Sequence, residues 1–361
     1  MNDRIKALIK KFPNDIDGVL ITSVINRQYF TSFKSSEGIL VITRERAVLF
    51  LDFRYYEQAK ESVKNVEVEL LTQTAAQLRK LRDENKLKKI GIESGKMTVS
   101  EYIKYQAIFD STEIAFDNKI NILIENLRRY KDAEELDNIR RAQSITERAY
   151  YDIIKFIKPG RTEREIAARL EFVMKCSGSE ENAFPVMVSC GKNTAYPHHS
   201  PTDYRVKAGD FIVMDFGAKY NGYCSDMTRT VALNKVTDEM KNIYNIVLKS
   251  QNMAISKIKP GISCHDIDSI AREYIAKKGF GESFGHSLGH AVGMEVHESP
   301  TFSPLSKISH CRVGHVMTVE PGIYIPDKFG VRIEDMVYIG QRGTINLTTP
   351  TKELLLIQNS I

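Results

Sequence analysis

No run in this 361-residue chain approaches the roughly 18 consecutive apolar residues of a membrane-spanning helix, so the sequence gives no case for a membrane protein. Its beginning, MNDRIKALIKKFPND, sets Ile5, Leu8 and Ile9 at helical spacing among lysines and has neither the apolar stretch nor the cleavage site of a secretory signal. Cysteine is sparse: five residues, at 176, 190, 224, 264 and 311, odd in number and without a CxxC pair, suit a reducing compartment, and a cytoplasmic location is expected. Neither sign of charge predominates, with 51 lysines and arginines against 46 acids. The net +5 is scattered and forms no basic stripe, so neither nucleic acid nor a membrane surface is an expected partner. Low-complexity segments are missing too. What is present is 42% hydrophobic and 27% charged, on a length sufficient for two domains with a core in each.

Residues 1–125 alternate strand-like runs (GVLITS, GILVIT, RAVLFLD, KKIGIES) with helical stretches such as RYYEQAKESV, an α/β pattern. The segment from Asn118 to Lys131 reads as the connection to a second domain over 126–361. There, Asp132 and Glu135 form a capping box ahead of a helix with Leu136, Ile139, Ala142, Ile145 and Ala149 near one face. Lys158-Pro159-Gly160 ends it, and Thr162 with Glu165 caps the next.

The second domain is written twice. Ile157-Lys158-Pro159-Gly160, a helical stretch, a histidine-bearing loop and FIVMDFGAKYNGYCSDMTRT recur as Ile258-Lys259-Pro260-Gly261, a helical stretch, a histidine-bearing loop and MTVEPGIYIPDKFGVRIED. Each copy ends in a pair of acids: Asp215 and Asp226, then Glu320 and Glu334. In the first, Asn221-Gly222 is a strong two-residue turn signal. A hairpin closed there sets Asp226 opposite Gly217 on the sheet face that also carries Asp215, with Cβ atoms roughly 7 Å apart. In the second, a loop around Pro326-Asp327-Lys328 sets Glu320 directly opposite Glu334. Carboxylates paired inside a sheet repel unless a cation lies between them, and two metal ions would supply that charge.

A nitrogen ligand is available in GHSLGHAVGMEVHESP, residues 285–300. His286 and His290 have the spacing of a helical ligand pair, but Gly285, Gly289 and Gly293 oppose a helix. Val292, Met294 and Val296 alternate with the residues between them, Glu295 among these, so the reading is a loop entering a strand. Four oxygen donors and one nitrogen favour manganese, with cobalt or zinc as options, over a thiolate site. Taken alone Asp215 or Asp226 reads as turn chemistry, His198 and His199 as solvated loop residues, and His265, His310 and His315 as surface or structural. Taken jointly, buried acids at duplicated positions would be prohibitive without a counter-ion.

These motifs, together with RQYFTSF and EGILVITRERAVLFLDFRYYEQA in the front domain, resemble the proline-specific (M24B-like) pita-bread metallopeptidases, aminopeptidase P and prolidase, over nearly the whole chain. The resemblance implies a creatinase-like α/β domain over 1–125 and an α+β pita-bread catalytic domain with a pseudo-twofold repeat over 126–361. That domain would have a six-stranded-type curved antiparallel sheet backed by four helices. It implies Asp215, Asp226, His290, Glu320 and Glu334 as ligands of two divalent ions bridged by a nucleophilic hydroxide. His198 and His297 would face the substrate carbonyl, Glu320 would accept the proton of the attacking water, and Arg332 would steady the carboxylates or meet substrate. His286 and Tyr324 fall at substrate-pocket positions, while His199 reads as a solvated loop residue. The implied substrates are small peptides with proline in second place, and the implied assembly is a homodimer or higher homo-oligomer. Ala291, Phe53 and His315 depart from the usual pattern without touching a ligand. Methionine aminopeptidase lacks so large a front domain, creatinase lacks the ligand set, and a non-catalytic binding member would have lost ligands. The expected activity is Xaa-Pro aminopeptidase, with Xaa-Pro dipeptidase as the alternative.

Overall fold

Runs of β-branched and aromatic residues bounded by turn formers supply the strands of the first unit, as their composition dictates. The computed structural model describes residues 1–306 and 309–358, and the chain divides into two compact units, Met1–Arg128 and Arg129–Ile361. In the first unit β1 (Gly18–Ile21), β2 (Ile39–Thr43) and β3 (Ala47–Leu51) are buried throughout. With β4 (Glu67–Leu70), β5 (Lys89–Ile92) and β6 (Glu113–Ala115) they form one sheet in the order β4-β3-β2-β1-β5-β6. The β1–β2 and β2–β3 pairs are antiparallel, and the others are parallel. Six helices accompany it among the described residues: α1 (Asp3–Ile9), α2 (Val24–Thr31), α3 (Phe53–Ser62), α4 (Thr74–Glu84), α5 (Val99–Ile108) and α6 (Lys119–Arg129). The stretch expected as a plain connection is therefore largely helix α6, which buries Ile120 and Ile124 along one side.

The second unit opens with α7 (Ala133–Phe156), whose capping box joins Asp132 and Glu135, and α8 (Glu163–Cys176), capped likewise by Thr162 and Glu165. Then come β7 (Met187–Cys190), a 3-10 turn at Gly191–Ala195, β8 (Phe211–Phe216), β9 (Lys219–Tyr220), β10 (Tyr223–Cys224) and β11 (Met227–Leu233). The second copy supplies α9 (Asp238–Ile255), α10 (Cys264–Lys277), β12 (Gly289–Ala291), β13 (Glu298–Phe302), β14 (Val316–Val319), β15 (Gly322–Ile325), β16 (Phe329–Arg332) and β17 (Asp335–Gly340). Strands β18 (Gly343–Asn346) and β19 (Leu356–Ile357) complete the chain.

Each helix pair packs on the strands of its own copy, with Tyr244 of α9 also meeting Phe211 of β8. Ile145, Ala149 and Ile153 of α7 and Ile166, Leu170 and Met174 of α8 share a core with Val188, Ile212, Met214, Phe216 and Val231. Residues of α9 and α10 cluster in the same way with Ala291, Met317, Val319, Val337 and Ile339. Side chains alternate along a strand, so burying Ile212, Met214 and Phe216 under helices turns Asp215 to the opposite face. No helix among the described residues is long and apolar enough to cross a membrane.

One detail differs from the expected single sheet. The strands group as β19-β11-β8-β7, as β13-β12-β14-β17-β18, and as two separate ribbons, β9 with β10 and β15 with β16. The ladders break at three of the four acids, while Asp215 stays inside β8, paired with Thr228. Ser225-Asp226 separates β10 from β11, Glu320-Pro321 separates β14 from β15, and Ile333-Glu334 separates β16 from β17. Pro321 has no N–H to give a ladder. The Glu320 N–H donates to Leu288 O at 2.7 Å, and the Glu334 N–H to Thr228 O at 3.1 Å, instead of across their own hairpin.

Gly217 illustrates how tightly the first hairpin closes, because a Cβ there would lie 1.9 Å from Ser225 O. Gly217→Ala is expected to destabilise the protein by about 1–3 kcal/mol through forced backbone displacement. Urea denaturation checks this, and an unchanged midpoint would contradict the close approach.

Candidate metal centre

Two tight turns set the registers that bring the acids together. Asn221 (φ 46°) and Gly222 (φ 80°) both adopt the positive φ of a two-residue hairpin turn. Tyr223 pairs with Tyr220, Met227 with Phe216 and Thr228 with Asp215, which places Asp226 opposite Gly217, on the face of Asp215. The second turn carries Asp327 at φ 61°. Gly322 pairs with Arg332 below the break and Val319 with Asp335 above it, so Glu320 stands opposite Glu334. His290 comes from β12, a strand of three residues. The alternation expected through Val296 stops at Ala291, where the register with β13 shifts. Val292 and Met294 remain buried there, but Val296 does not.

Three of these side chains form one group: Asp226, His290 and Glu334 each offer a donor atom, all within 4.8 Å of one another. His290 Nε2 lies 3.7 Å from Asp226 Oδ2 and 3.3 Å from Glu320 Oε1. Glu334 Oε2 accepts from Thr228 Oγ1 at 2.7 Å. Asp215 Oδ2 is 2.7 Å from the Arg332 guanidinium, and its Oδ1 is buried with no hydrogen-bond partner. Thr318 Oγ1 accepts the His290 N–H at 3.0 Å and donates to Glu320 at 3.4 Å.

The charges are poorly balanced. Burial raises the Asp226 carboxyl well above the usual range, and Glu334, Asp215 and Glu320 reinforce the effect. Burial likewise raises Glu334, with repulsion from Glu320 and Asp215 added and the Thr228 hydrogen bond opposing. Asp215 is raised by burial against the pull of Arg332. Glu320 goes the other way: burial would raise it, but the hydrogen bond and charge of His290, with His286 and Arg332, hold it at about 2. His290 is raised, its partnership with Glu320 overcoming burial.

Around this group lie the other expected residues. Arg332, buried on β16, contacts Thr228 Oγ1 at 3.1 Å, Pro197 O at 3.2 Å and Tyr324 Oη at 2.9 Å besides Asp215. His286 Nδ1 faces Ser287 O at 2.8 Å, which only accepts, so that nitrogen carries the hydrogen. Its Nε2 then accepts from the Tyr324 hydroxyl at 3.0 Å. Burial lowers the His286 pKa, in keeping with that neutral form. The His297 ring meets the His290 ring edge-on at 4.3 Å between centroids. Burial, then the His290 charge, then His198 lower its pKa. His198 is exposed in the loop after the 3-10 turn. His199, expected as a solvated loop residue, is instead half-buried against Glu163, with Nε2 2.9 Å from the carboxylate, because the folding of α8 against this loop brings the buried acid to it. His315 is buried and stacks on Tyr130, a structural position.

Thr228, Thr318 and Glu163 were not singled out from sequence. The available signal was a threonine two residues beyond Asp226 and another two before Glu320, each sharing a strand face with an acid.

The donor set fits divalent metal. His290 Nδ1 faces Ala291 O at 3.2 Å, so it carries the hydrogen and leaves Nε2 as the atom turned to the acids, the tautomer a metal requires. The orphaned Asp215 Oδ1 and the mutually repelling carboxylates need a cation, and oxygen donors with one imidazole suit hard or borderline divalent ions.

Residues 4–129 match the creatinase/prolidase N-terminal domain, and residues 137–341 match metallopeptidase family M24. An Xaa-Pro dipeptidase of Pyrococcus horikoshii is 38% identical over 98% of this chain and 99% of its own length. Among solved structures, an Xaa-Pro dipeptidase from Bacillus anthracis superposes with a TM-score of 0.93 at 36% identity, covering 98% of this chain and 99% of that one. An X-Pro aminopeptidase from Thermotoga maritima gives 0.91 at 36% identity, over 98% and 100%. The front unit and the duplicated acidic hairpins thus belong together, and the chain is a member of metallopeptidase family M24, with a creatinase-type N-terminal domain ahead of a pita-bread catalytic domain.

Proposed function

We propose that this chain is a dinuclear metal-dependent peptidase that hydrolyses Xaa-Pro dipeptides. The observation carrying the reading is the convergence of Asp226, His290 and Glu334 on one point, with Glu320 and Asp215 beside them. Asp215, Asp226, His290, Glu320 and Glu334 would hold the ions, manganese being the first choice. When bound, the ions polarise the scissile carbonyl and lower the pKa of water, chemistry that does not need the N–H that an Xaa-Pro amide lacks.

The remaining work falls to side chains. Glu320, the one acid held strongly ionised, would accept the proton of the attacking water at its carboxylate. His297, edge-on to the His290 ring, would donate a ring N–H to the developing oxyanion. His198 would deliver a proton to the departing proline nitrogen. Arg332 holds one oxygen of Asp215 and the hydroxyl of Tyr324, and so orients a ligand candidate and a pocket residue together.

The sequence alone leaned towards an aminopeptidase. The names of full-length relatives weigh towards the dipeptidase, and the Thermotoga structure keeps the aminopeptidase as the second reading.

Side-by-side assays on Gly-Pro-type dipeptides and longer Xaa-Pro-Xaa peptides should give metal-dependent cleavage of dipeptides, abolished by chelator. Release of the first residue from longer chains supports the aminopeptidase instead. Asp226→Asn should lose about 100-fold or more in kcat/KM, and His297→Ala about the same. Chelator-insensitive cleavage would sink the metal reading.

A second prediction needs no substrate. Asp226 and Glu334 have raised folded pKa values, so their contribution to stability in metal-free protein is fully present below the ordinary carboxylate range and is lost as pH rises through the raised values. In chelator, the stability difference between the natural protein and Asp226→Asn should therefore swing in favour of the variant from pH 5 to pH 8. Added manganese should reverse the order. Parallel pH profiles from denaturant melts would show that the acids do not strain the metal-free fold.

A further inference from the structure

Glu163 is the first residue of α8, yet the capping box of that helix belongs to Thr162 and Glu165. Its side chain is fully buried. Oε1 accepts from the Cys190 N–H at 2.7 Å and Asn193 Nδ2 at 3.0 Å. Oε2 accepts from His199 Nε2 at 2.9 Å, the Thr202 N–H at 2.9 Å and Thr202 Oγ1 at 2.6 Å. Five donors exceed the roughly four lone-pair sites a carboxylate offers, so the group is saturated and suited to the ionised form. Burial alone would raise its pKa, and these hydrogen bonds bring it below the usual value.

All five donors belong to one segment, Cys190 to Thr202, and that segment carries His198. The backbone adds to the hold: the Glu163 N–H donates to Tyr204 O and the Arg164 N–H to Thr202 O, each at 3.2 Å. His199 is fixed by Glu163 on one side and stacks with Tyr196, 6.3 Å between ring centroids, so the residue next to His198 has little freedom. His198 itself is exposed and lies next to His199 in this segment.

The duplicated half repeats the device with a different acid. Asp268 on α10 is wholly buried, accepts the Leu288 N–H at 3.1 Å and pairs with Arg272 at 2.7 and 2.8 Å. Arg272 in turn donates to Phe284 O at 2.9 Å and His286 O at 2.8 Å. In both halves a buried carboxylate on the second helix of the pair grips the loop that bears a site histidine.

We propose that Glu163 is a positioning residue for the peptidase reaction: its buried carboxylate, clasped by His199, Thr202, Asn193 and the Cys190 amide, holds the 190–202 segment so that His198 meets the substrate. This rests on the peptidase reading, in which His198 acts on substrate.

The test is a double-mutant cycle on the full-length, manganese-loaded protein with Glu163→Gln and His198→Ala, read beside amide hydrogen exchange. Gln keeps the size of Glu163 but turns an NH2 group towards donors. Glu163→Gln should lower kcat about tenfold or more with bound manganese unchanged, and should cost almost nothing further once His198 is Ala. Exchange at the Cys190 and Thr202 amides should quicken about tenfold or more while α9 stays protected. Should Glu163→Gln not fold, Thr202→Val removes one donor and should act in the same direction by a smaller factor. Equal losses in both backgrounds, full activity of His198→Ala, or unchanged exchange at the two amides would each overturn the proposal. If the natural protein cleaves no proline peptide, the peptidase reading falls, and the exchange data then decide alone whether Glu163 holds the segment.

Discussion

Carboxylates gathered away from water are the constraint around which the second unit is arranged. Asp215, Asp226 and Glu334 all have raised pKa values because burial, and then the charge of neighbouring carboxylates with Glu320 among them in each case, disfavours ionisation, and one arginine with one histidine does not balance them. Such a group persists in a fold only when something cationic joins it or when the surrounding structure holds it firmly. Much of the polar detail nearby does the holding. Thr228 donates to Glu334, Arg332 to Asp215, and Thr318 accepts the backbone N–H of His290 while donating to Glu320.

The same constraint explains why the sheets are interrupted. An acid inside a regular ladder has its backbone spent on the neighbouring strand. Here the Glu334 N–H reaches Thr228 O, Arg229 donates to Glu334 O at 2.6 Å, and Thr230 Oγ1 donates to Arg332 O at 2.7 Å. Strand β11 of the first copy thereby grips the acid-bearing segment of the second. Arg229 completes this seam through its buried ion pair with Asp335 at 2.9 Å, a carboxylate that Lys352 also meets at 2.9 Å. Rigidity at the seam and an unbalanced charge in its middle are complementary: the backbone fixes where the oxygens are, and the charge sets what they attract.

Outside the acids the environment sorts similar side chains into different roles. Among the histidines, His290 is raised by its contact with Glu320, whereas His286 and His297 are lowered, chiefly by burial. The loops bearing His198 and His286 are tied to buried carboxylates on helices rather than left to solvent. That division suits a site in which some imidazoles give a lone pair and others give an N–H.

Amino-acid order settles the parts of this protein that obey local rules. The two capping boxes, the positive φ at Asn221 and Gly222 and the hairpin registers opposing Asp226 to Gly217 and Glu320 to Glu334 follow from neighbours along the chain, and so were legible in the sequence. The family was legible too, through motifs spread along most of the chain. Packing in three dimensions settles what depends on residues far apart. The break at Glu334 comes with a hydrogen bond to Thr228 of the other copy, and the break at Glu320 with one to Leu288, 32 residues back in the chain. His290 ends its strand early because the register with β13 shifts beside it. His199, a solvated loop residue by sequence, acquires Glu163 only when α8 folds against the 190–202 segment. Local propensity carries no information on which buried charge a distant helix will present, and that is why the acids and Arg332 could be picked out in the sequence while Thr228, Thr318 and Glu163 could not.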